Sequence, residues 1–230
     1  ATAVRLQQGR NPWAGAALSL LWGFAPHVSL FAMTAEVFAL NNCLIAVICF
    51  LIVELKVAKD AGASSRKIAL IARWGALSLG LALTNQHTSV LLAAPAVLYV
   101  LWESRSHLIS VGHIATLAAW FAMGLWPYAY LPLSESFAAQ MSWGETDSLK
   151  GFFTHFTRSD YGSFSLGVKE DHPNIGFLPN FSAYGRLMQT ENFTLPAALC
   201  ALSCLEALFN KNTPFRSVKL FFAAAYVFYL

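Results

Sequence analysis

The residues able to do chemistry stand at a few points in an otherwise apolar sequence. Glu36 is the first, a lone carboxylate between the charge-free runs 11–35 and 37–53. A charge at a membrane turn is costly unless paired, which makes Glu36 a functional candidate; the plainer alternative is an interfacial acid bathed in water at a helix end. Asn41 and Asn42 follow about one helical turn later. Adjacent amides in an apolar helix cost propensity and desolvation, and interhelical hydrogen bonding is the ordinary way to recover that cost. Asn85-Gln86-His87-Thr88 comes next. So many side-chain donors and acceptors in one short stretch make a polar turn, and they also suit a sugar or a phosphate. No second ligand lies at metal spacing from His87, so no metal site is expected.

A further group lies between Trp143 and Gly162. Asp147 is placed to cap a short helix starting at Ser148. On that helix Phe152, His155 and Arg158 recur every third residue and share one face. Phe152, Phe153 and Phe156 make it amphipathic enough to lie on a membrane surface. His155 and Arg158 would then reach headgroup level, where charge-assisted hydrogen bonds could hold a lipid phosphate. An interfacial helix with ordinary polar decoration has the same spacing.

The elements that must carry these residues are set by composition. Of 230 residues, 57% are hydrophobic and only 12% are charged, with a mean hydropathy of +0.52. A soluble domain carries about 25% charged residues. The composition therefore excludes a disordered chain and an ordinary water-soluble globule, and points to a lipid bilayer. A net charge of +3 without a basic cluster argues against nucleic acid. Cys43, Cys49, Cys200 and Cys204 lie inside apolar runs and read as buried small hydrophobes. There is no initiator Met and no signal peptide, and the chain reads as a piece of a longer polypeptide.

At ~1.5 Å per residue, one helix from Asn11 to Leu55 would far exceed a hydrocarbon core of ~30 Å, so the chain must turn back near Glu36. The run 68–102 is either one long tilted helix with Asn85-Gln86-His87 at mid-depth or two short helices. Charge placement selects two. Lys56, Lys59, Arg66, Lys67, Arg105, Lys211, Arg216 and Lys219, with Arg5 and Arg10, then fall on one side. Only Lys150, Arg158, Lys169 and Arg186 fall on the other. That asymmetry follows the positive-inside rule. Glycosylation sequons at Asn180 and Asn192 fall on the poorer side. The expected architecture is all-α, a polytopic transmembrane bundle with about seven spans near 13–33, 37–55, 68–84, 89–102, 111–131, 195–209 and from 218. Residues 1–131 form helices with short lumenal turns, 132–193 a lumenal loop with a short interfacial helix, and 194–230 further, incomplete helices.

Thr34-Ala35-Glu36-Val37-Phe38-Ala39-Leu40-Asn41-Asn42, Asn85-Gln86-His87-Thr88, Pro127-Tyr128-Ala129-Tyr130-Leu131-Pro132 and the stretch 143–164 occur in this order at spacing that resembles one family. It is the protein O-mannosyltransferase family of animal transmembrane protein 260 and its bacterial relatives, and the likeness covers residues 13–168. The resemblance implies a GT-C type glycosyltransferase in the endoplasmic reticulum membrane. It implies dolichyl-phosphate mannose as donor substrate, and as acceptors Ser/Thr hydroxyls on immunoglobulin-like (IPT) domains of cell-surface receptors. A carboxylate would act as general base on the incoming hydroxyl, and cationic groups would stabilise the departing lipid phosphate. On this basis Glu36 is the candidate catalytic residue, and Asn41, Asn42, Asn85, Gln86, His87, Trp143, His155, Arg158 and Tyr161 are the candidate donor-binding set.

The sequence also departs from the family. Asp-Ser-Gly-Glu-like and His-Pro-Pro-Gly-Tyr-Pro-like motifs of an earlier lumenal loop are not among these residues, so the main base is expected upstream of Ala1. Glu145 stands where the family usually has Asp, which keeps the charge and changes its reach. Two other classes fit a multi-span protein. A secondary transporter would show repeat pairs and matched Gly/Pro-broken helices, and the sequence shows neither. A non-catalytic scaffold or chaperone would need no ordered motifs in a long loop.

Overall fold

The computed structural model describes residues 12–34, 37–108, 110–136, 148–157, 177–190 and 194–229. Among these residues the fold is all-α. Helices α1 (Pro12–Gly23) and α2 (Pro26–Met33) precede the long α3 (Phe38–Asp60) and α4 (Ser65–Asn85). A 3-10 turn (His87–Ser89) leads into α5 (Val90–Glu103), followed by the single turn α6 (Arg105–Leu108) and α7 (Val111–Gly124). A second 3-10 turn (Trp126–Ala129) continues into α8 (Tyr130–Ser136). Then come α9 (Leu149–Phe156), α10 (Phe177–Thr190), α11 (Thr194–Phe209) and α12 (Arg216–Tyr229).

Two helices, α3 and α4, are long and apolar enough to cross a membrane, and the bent pair 111–134 makes a third if it counts as one span. Among the described residues this is fewer than the seven spans expected. Three of the shortfalls have a local cause. The apolar run 13–33 is broken between α1 and α2 because Pro26, at the start of α2, has no N–H to continue the preceding helix. The run 111–131 bends by 48° at Leu125 and the Trp126–Ala129 turn, where Pro127 interrupts the ladder. Helix α5 has 14 residues and contains Pro95; at ~1.5 Å per residue it is shorter than a hydrocarbon core. None of the four cysteines is buried: Cys43 and Cys200 are exposed on helix surfaces, Cys49 and Cys204 are half-buried, and all four are free. The helices they sit on have only part of their surface covered by other described helices.

The helices alternate in direction. Between α3 and α4 the chain reverses through Gly62, whose φ of 66° is left-handed. Gly62 N–H donates to Lys59 O and Ala63 N–H to Ala58 O, closing the helix end as a Schellman motif. Ser64 then caps α4 by accepting from Lys67 N–H. At the same end Lys59 Nζ lies 2.6 Å from Glu103 O and 3.1 Å from Glu103 Oε1, tying the end of α3 to the end of α5. Lys56 reaches the same carboxylate at 3.6 Å and also pairs with Asp60. Tyr99 and Ser217 bring in α12, and Lys219 pairs with Glu206 of α11 at 2.9 Å. The opposite end collects the start of α3, the end of α4, the start of α5 and the end of α7. Ile48, Ile52, Leu55, Ile68, Leu79, Leu92, Val218 and Phe221 pack the core between α3, α4, α5 and α12.

Helices α4 and α7 run side by side in closer approach than any side chain allows. Gly80 and Gly124 face each other: a Cβ built on Gly80 would lie 2.8 Å from Gly124 Cα, and one built on Gly124 would lie 2.9 Å from Gly80 Cα. Small residues allow backbones to meet in this way inside membranes. Trp74 and Trp120 pack edge to face farther along the same seam, with centroids 5.3 Å apart. Toward the basic end an apolar cavity of about 260 Å³ opens between α3, α4, α5 and α7. Gly75 lies on its α4 wall, and a Cβ there would meet nothing within 4 Å.

Candidate functional site

The two-helix form of 68–102 depends on a short break in the backbone. Asn85 closes α4, Gln86 is extended (φ −150°, ψ 120°), and His87–Ser89 make one 3-10 turn before α5. Gln86 N–H still donates to Ala82 O, and Ser89 N–H to Gln86 O, so the reversal keeps its backbone bonds. The break turns the side chains of 85–89 toward three other elements.

Asn85 Nδ2 donates to Val37 O at 2.9 Å, fastening the entry of α3. Ser89 Oγ donates to Asn41 Oδ1 at 2.7 Å, with Ser89 1% and Asn41 6% exposed. Asn41 therefore makes the interhelical bond that a buried amide needs. Asn42 is half-buried beside it. Gln86 Oε1 is buried without a hydrogen-bond partner among the described residues. His87 Nε2 lies 3.0 Å from Tyr128 Oη and 3.3 Å from Phe156 O. Tyr128 Oη also lies 3.5 Å from Leu83 O, and its ring meets that of Phe156 edge-on with centroids 5.0 Å apart.

These contacts bring four separated sequence blocks to one end of the bundle: the start of α3, residues 85–89, Tyr128 and helix α9. With the proton on Nε2, His87 donates toward Phe156 O or Tyr128 Oη, and the tyrosine hydroxyl donates to Leu83 O. The neutral groups gathered at this end both donate and accept, as recognition of sugar hydroxyls requires.

Helix α9 is capped by Ser148, whose Oγ accepts from Gly151 N–H at 3.0 Å. The expected cap, Asp147, lies outside the described residues. Phe152 stacks on Phe156 at 6.2 Å and meets Phe153 edge-on, and Phe153 remains 58% exposed. His155 is half-buried on this helix. The helix ends at Phe156 with Thr157 as its C-cap, and Phe152 and His155 both lie on it. Glu36, Trp143, Glu145, Arg158, Tyr161 and Asn192 lie outside the described residues. Asn180 falls within helix α10. Among the described residues no group of His, Cys, Asp and Glu could hold a metal ion.

Sequence reasoning passed over Tyr128 and Ser89 as site residues. Ser89 carries a readable signal, because a buried amide at Asn41 requires a polar partner from another helix. Tyr128 follows Pro127, and a proline in a long apolar run marks the place where a side chain leaves the regular helix surface.

Residues 4–110 match the family described as the N-terminal domain of protein O-mannosyl-transferase TMEM260. The chain is 40% identical over 144 residues to protein O-mannosyl-transferase TMEM260 of Mus musculus, covering 61% of this chain and 20% of the relative. It is 31% identical over 166 residues to the protein of that description in Dictyostelium discoideum, covering 68% of this chain and 20% of the relative. The chain thus spans about a fifth of the length of these relatives. No solved structure matches it.

Proposed function

We propose, because residues 4–110 match the family described as the N-terminal domain of protein O-mannosyl-transferase TMEM260, that this chain forms part of a membrane mannosyltransferase and supplies the donor-binding end of its active site. The observation that carries this reading is the convergence of Asn85, Gln86, His87, Tyr128 and α9 at one end of membrane-length helices. That end faces the lumen of the endoplasmic reticulum in a GT-C type architecture, and the Lys56–Lys59 end faces the cytosol. The donor is dolichyl-phosphate mannose, and the acceptors are Ser/Thr hydroxyls on IPT domains of receptors.

In the reaction the acceptor hydroxyl attacks the anomeric carbon of mannose. The bond to the lipid phosphate breaks, and the phosphate leaves with the electron pair. A carboxylate takes the hydroxyl proton. Glu36, five residues before Asn41 in the sequence, assists this base or holds the acceptor. Asn42, Asn85 and Gln86 hydrogen-bond the sugar, with Trp143 and Tyr161 beside it. His155 and Arg158 hold the phosphate, whose charge grows as the bond breaks, so their contact strengthens in the transition state. Arg grips two phosphate oxygens in a planar fork that Lys lacks.

The test is transfer by full-length protein from dolichyl-phosphate mannose to an isolated IPT domain. Glu36→Gln should cut turnover with little change in melting temperature, and Arg158→Lys should lower both turnover and donor affinity. Wild-type turnover in both variants overturns the site assignment. Absence of any mannose transfer by the wild-type protein overturns the function.

A further inference from the structure

Tyr128 is 8% exposed and touches the end of α4, the turn at His87 and helix α9. Its hydroxyl meets His87 Nε2 at 3.0 Å and Leu83 O at 3.5 Å, and its ring receives Phe156 at 5.0 Å. Phe156 O lies 3.3 Å from His87 Nε2, so the histidine and the last residue of α9 are bound both to each other and to the same tyrosine. The other phenylalanines of α9 do not share this engagement: Phe153 is 58% exposed, and Phe152 stacks on Phe156. Tyr128 itself is held by the seam below it, since Gly124 stands one helical turn earlier against Gly80.

We propose that Tyr128 is a positioning residue, whose hydroxyl orients His87 and whose ring seats Phe156, and which thereby docks α9 and its His155 against the polar end of the bundle. The two jobs are separable. The hydroxyl gives His87 Nε2 a polar neighbour and donates its own hydrogen bond to the Leu83 carbonyl. The ring supplies the apolar face on which Phe156 rests, and edge-on aromatic pairs favour one mutual orientation. Removing the hydroxyl alone leaves α9 seated but loosely held, and removing the ring as well releases it.

The kinetic half of the proposal rests on the transferase reading; the docking half does not. The experiment is hydrogen exchange by mass spectrometry on the full-length protein, with donor and acceptor KM measured on the same samples. Tyr128→Phe should speed exchange in 149–157 by about fivefold, the loss expected for one hydrogen bond. Tyr128→Ala should speed it further, and 65–80 should keep wild-type rates in both. Donor KM should rise in the same order, with acceptor KM unchanged. Unchanged exchange in 149–157 overturns the proposal whatever the activity. So does a rise spread evenly over 65–124, which would make Tyr128 a packing residue only. A selective rise in exchange with unchanged donor KM overturns the role in the site. If the wild type transfers no mannose, the function falls on that result, and the exchange data alone decide on Tyr128.

Discussion

Gly80→Ala tests how the polar end is held. The added Cβ would lie 2.8 Å from Gly124 Cα and 2.9 Å from Gly124 C, and closer still to the Phe121 carbonyl oxygen. Carbon atoms rest at ~3.5–4.0 Å, so α4 and α7 must part by about 1 Å. All the atoms in the way are backbone, so no side chain can turn aside. Overpacking of this kind costs about 1–3 kcal/mol, a factor of ten in the folding equilibrium for each ~1.4 kcal/mol. The damage should also reach Tyr128, which follows Gly124 by one turn. Its 3.5 Å contact with Leu83 O and 3.0 Å contact with His87 span the same seam, and a shift of about 1 Å would leave the first beyond hydrogen-bonding range. Gly75→Ala, on the same helix, is the control. Its Cβ meets open space, so it should be neutral or stabilising by up to ~1 kcal/mol through helix propensity. Reversible unfolding of the full-length protein in detergent, with melting temperatures for both variants, measures the contrast. If Gly80→Ala melts with the wild type, or the two alanines behave alike, the backbone-contact seam is refuted.

Other consequences are as direct. Asn41→Ala should leave the Ser89 hydroxyl buried and unpaired, at about 1–3 kcal/mol. A double-mutant cycle with Ser89→Ala should give a coupling of roughly 0.6–1.7 kcal/mol, and additive effects would show that the bond contributes nothing. Glu103→Ala removes the carboxylate shared by Lys56 and Lys59 and should destabilise the basic end by about 1–3 kcal/mol. Glu103→Gln should recover part of that, with faster hydrogen exchange at 56–61 as the local readout; equal losses in the two variants would mean that charge is the whole effect.

The parts legible in the sequence are those that rest on charge and apolarity. The reversal at 85–89 follows from the wish to keep Lys56, Lys59, Arg66 and Arg105 together, and the structure does reverse there, with Lys59 on Glu103 at one end and Asn85 on Val37 at the other. The breaks inside apolar runs were less visible. Hydropathy does not change at Pro26 or Pro127, and only backbone chemistry stops the helix. The cap of α9 passed to Ser148, because the helix starts one residue later than an Asp147 cap allows. Tyr128 was hidden for a different reason: its partners Leu83, His87 and Phe156 are far away in sequence, and no periodicity links them.

The alternation of helix directions sets the electrical character of the polar end. Two helix beginnings, at Phe38 and Val90, arrive there together with two helix endings, at Asn85 and Gly124. Aligned peptide dipoles leave roughly half a positive charge at each beginning and half a negative charge at each ending, so these four contributions offset one another. Helix beginnings and helix endings stand side by side there. A surface of that kind favours an uncharged ring bearing hydroxyls, each of which both gives and takes a hydrogen bond. It offers little to an anion. On the function proposed above, a phosphate arriving at this end would have to be met by side-chain cations, so the sugar and the group it leaves behind would be recognised by different parts of the chain.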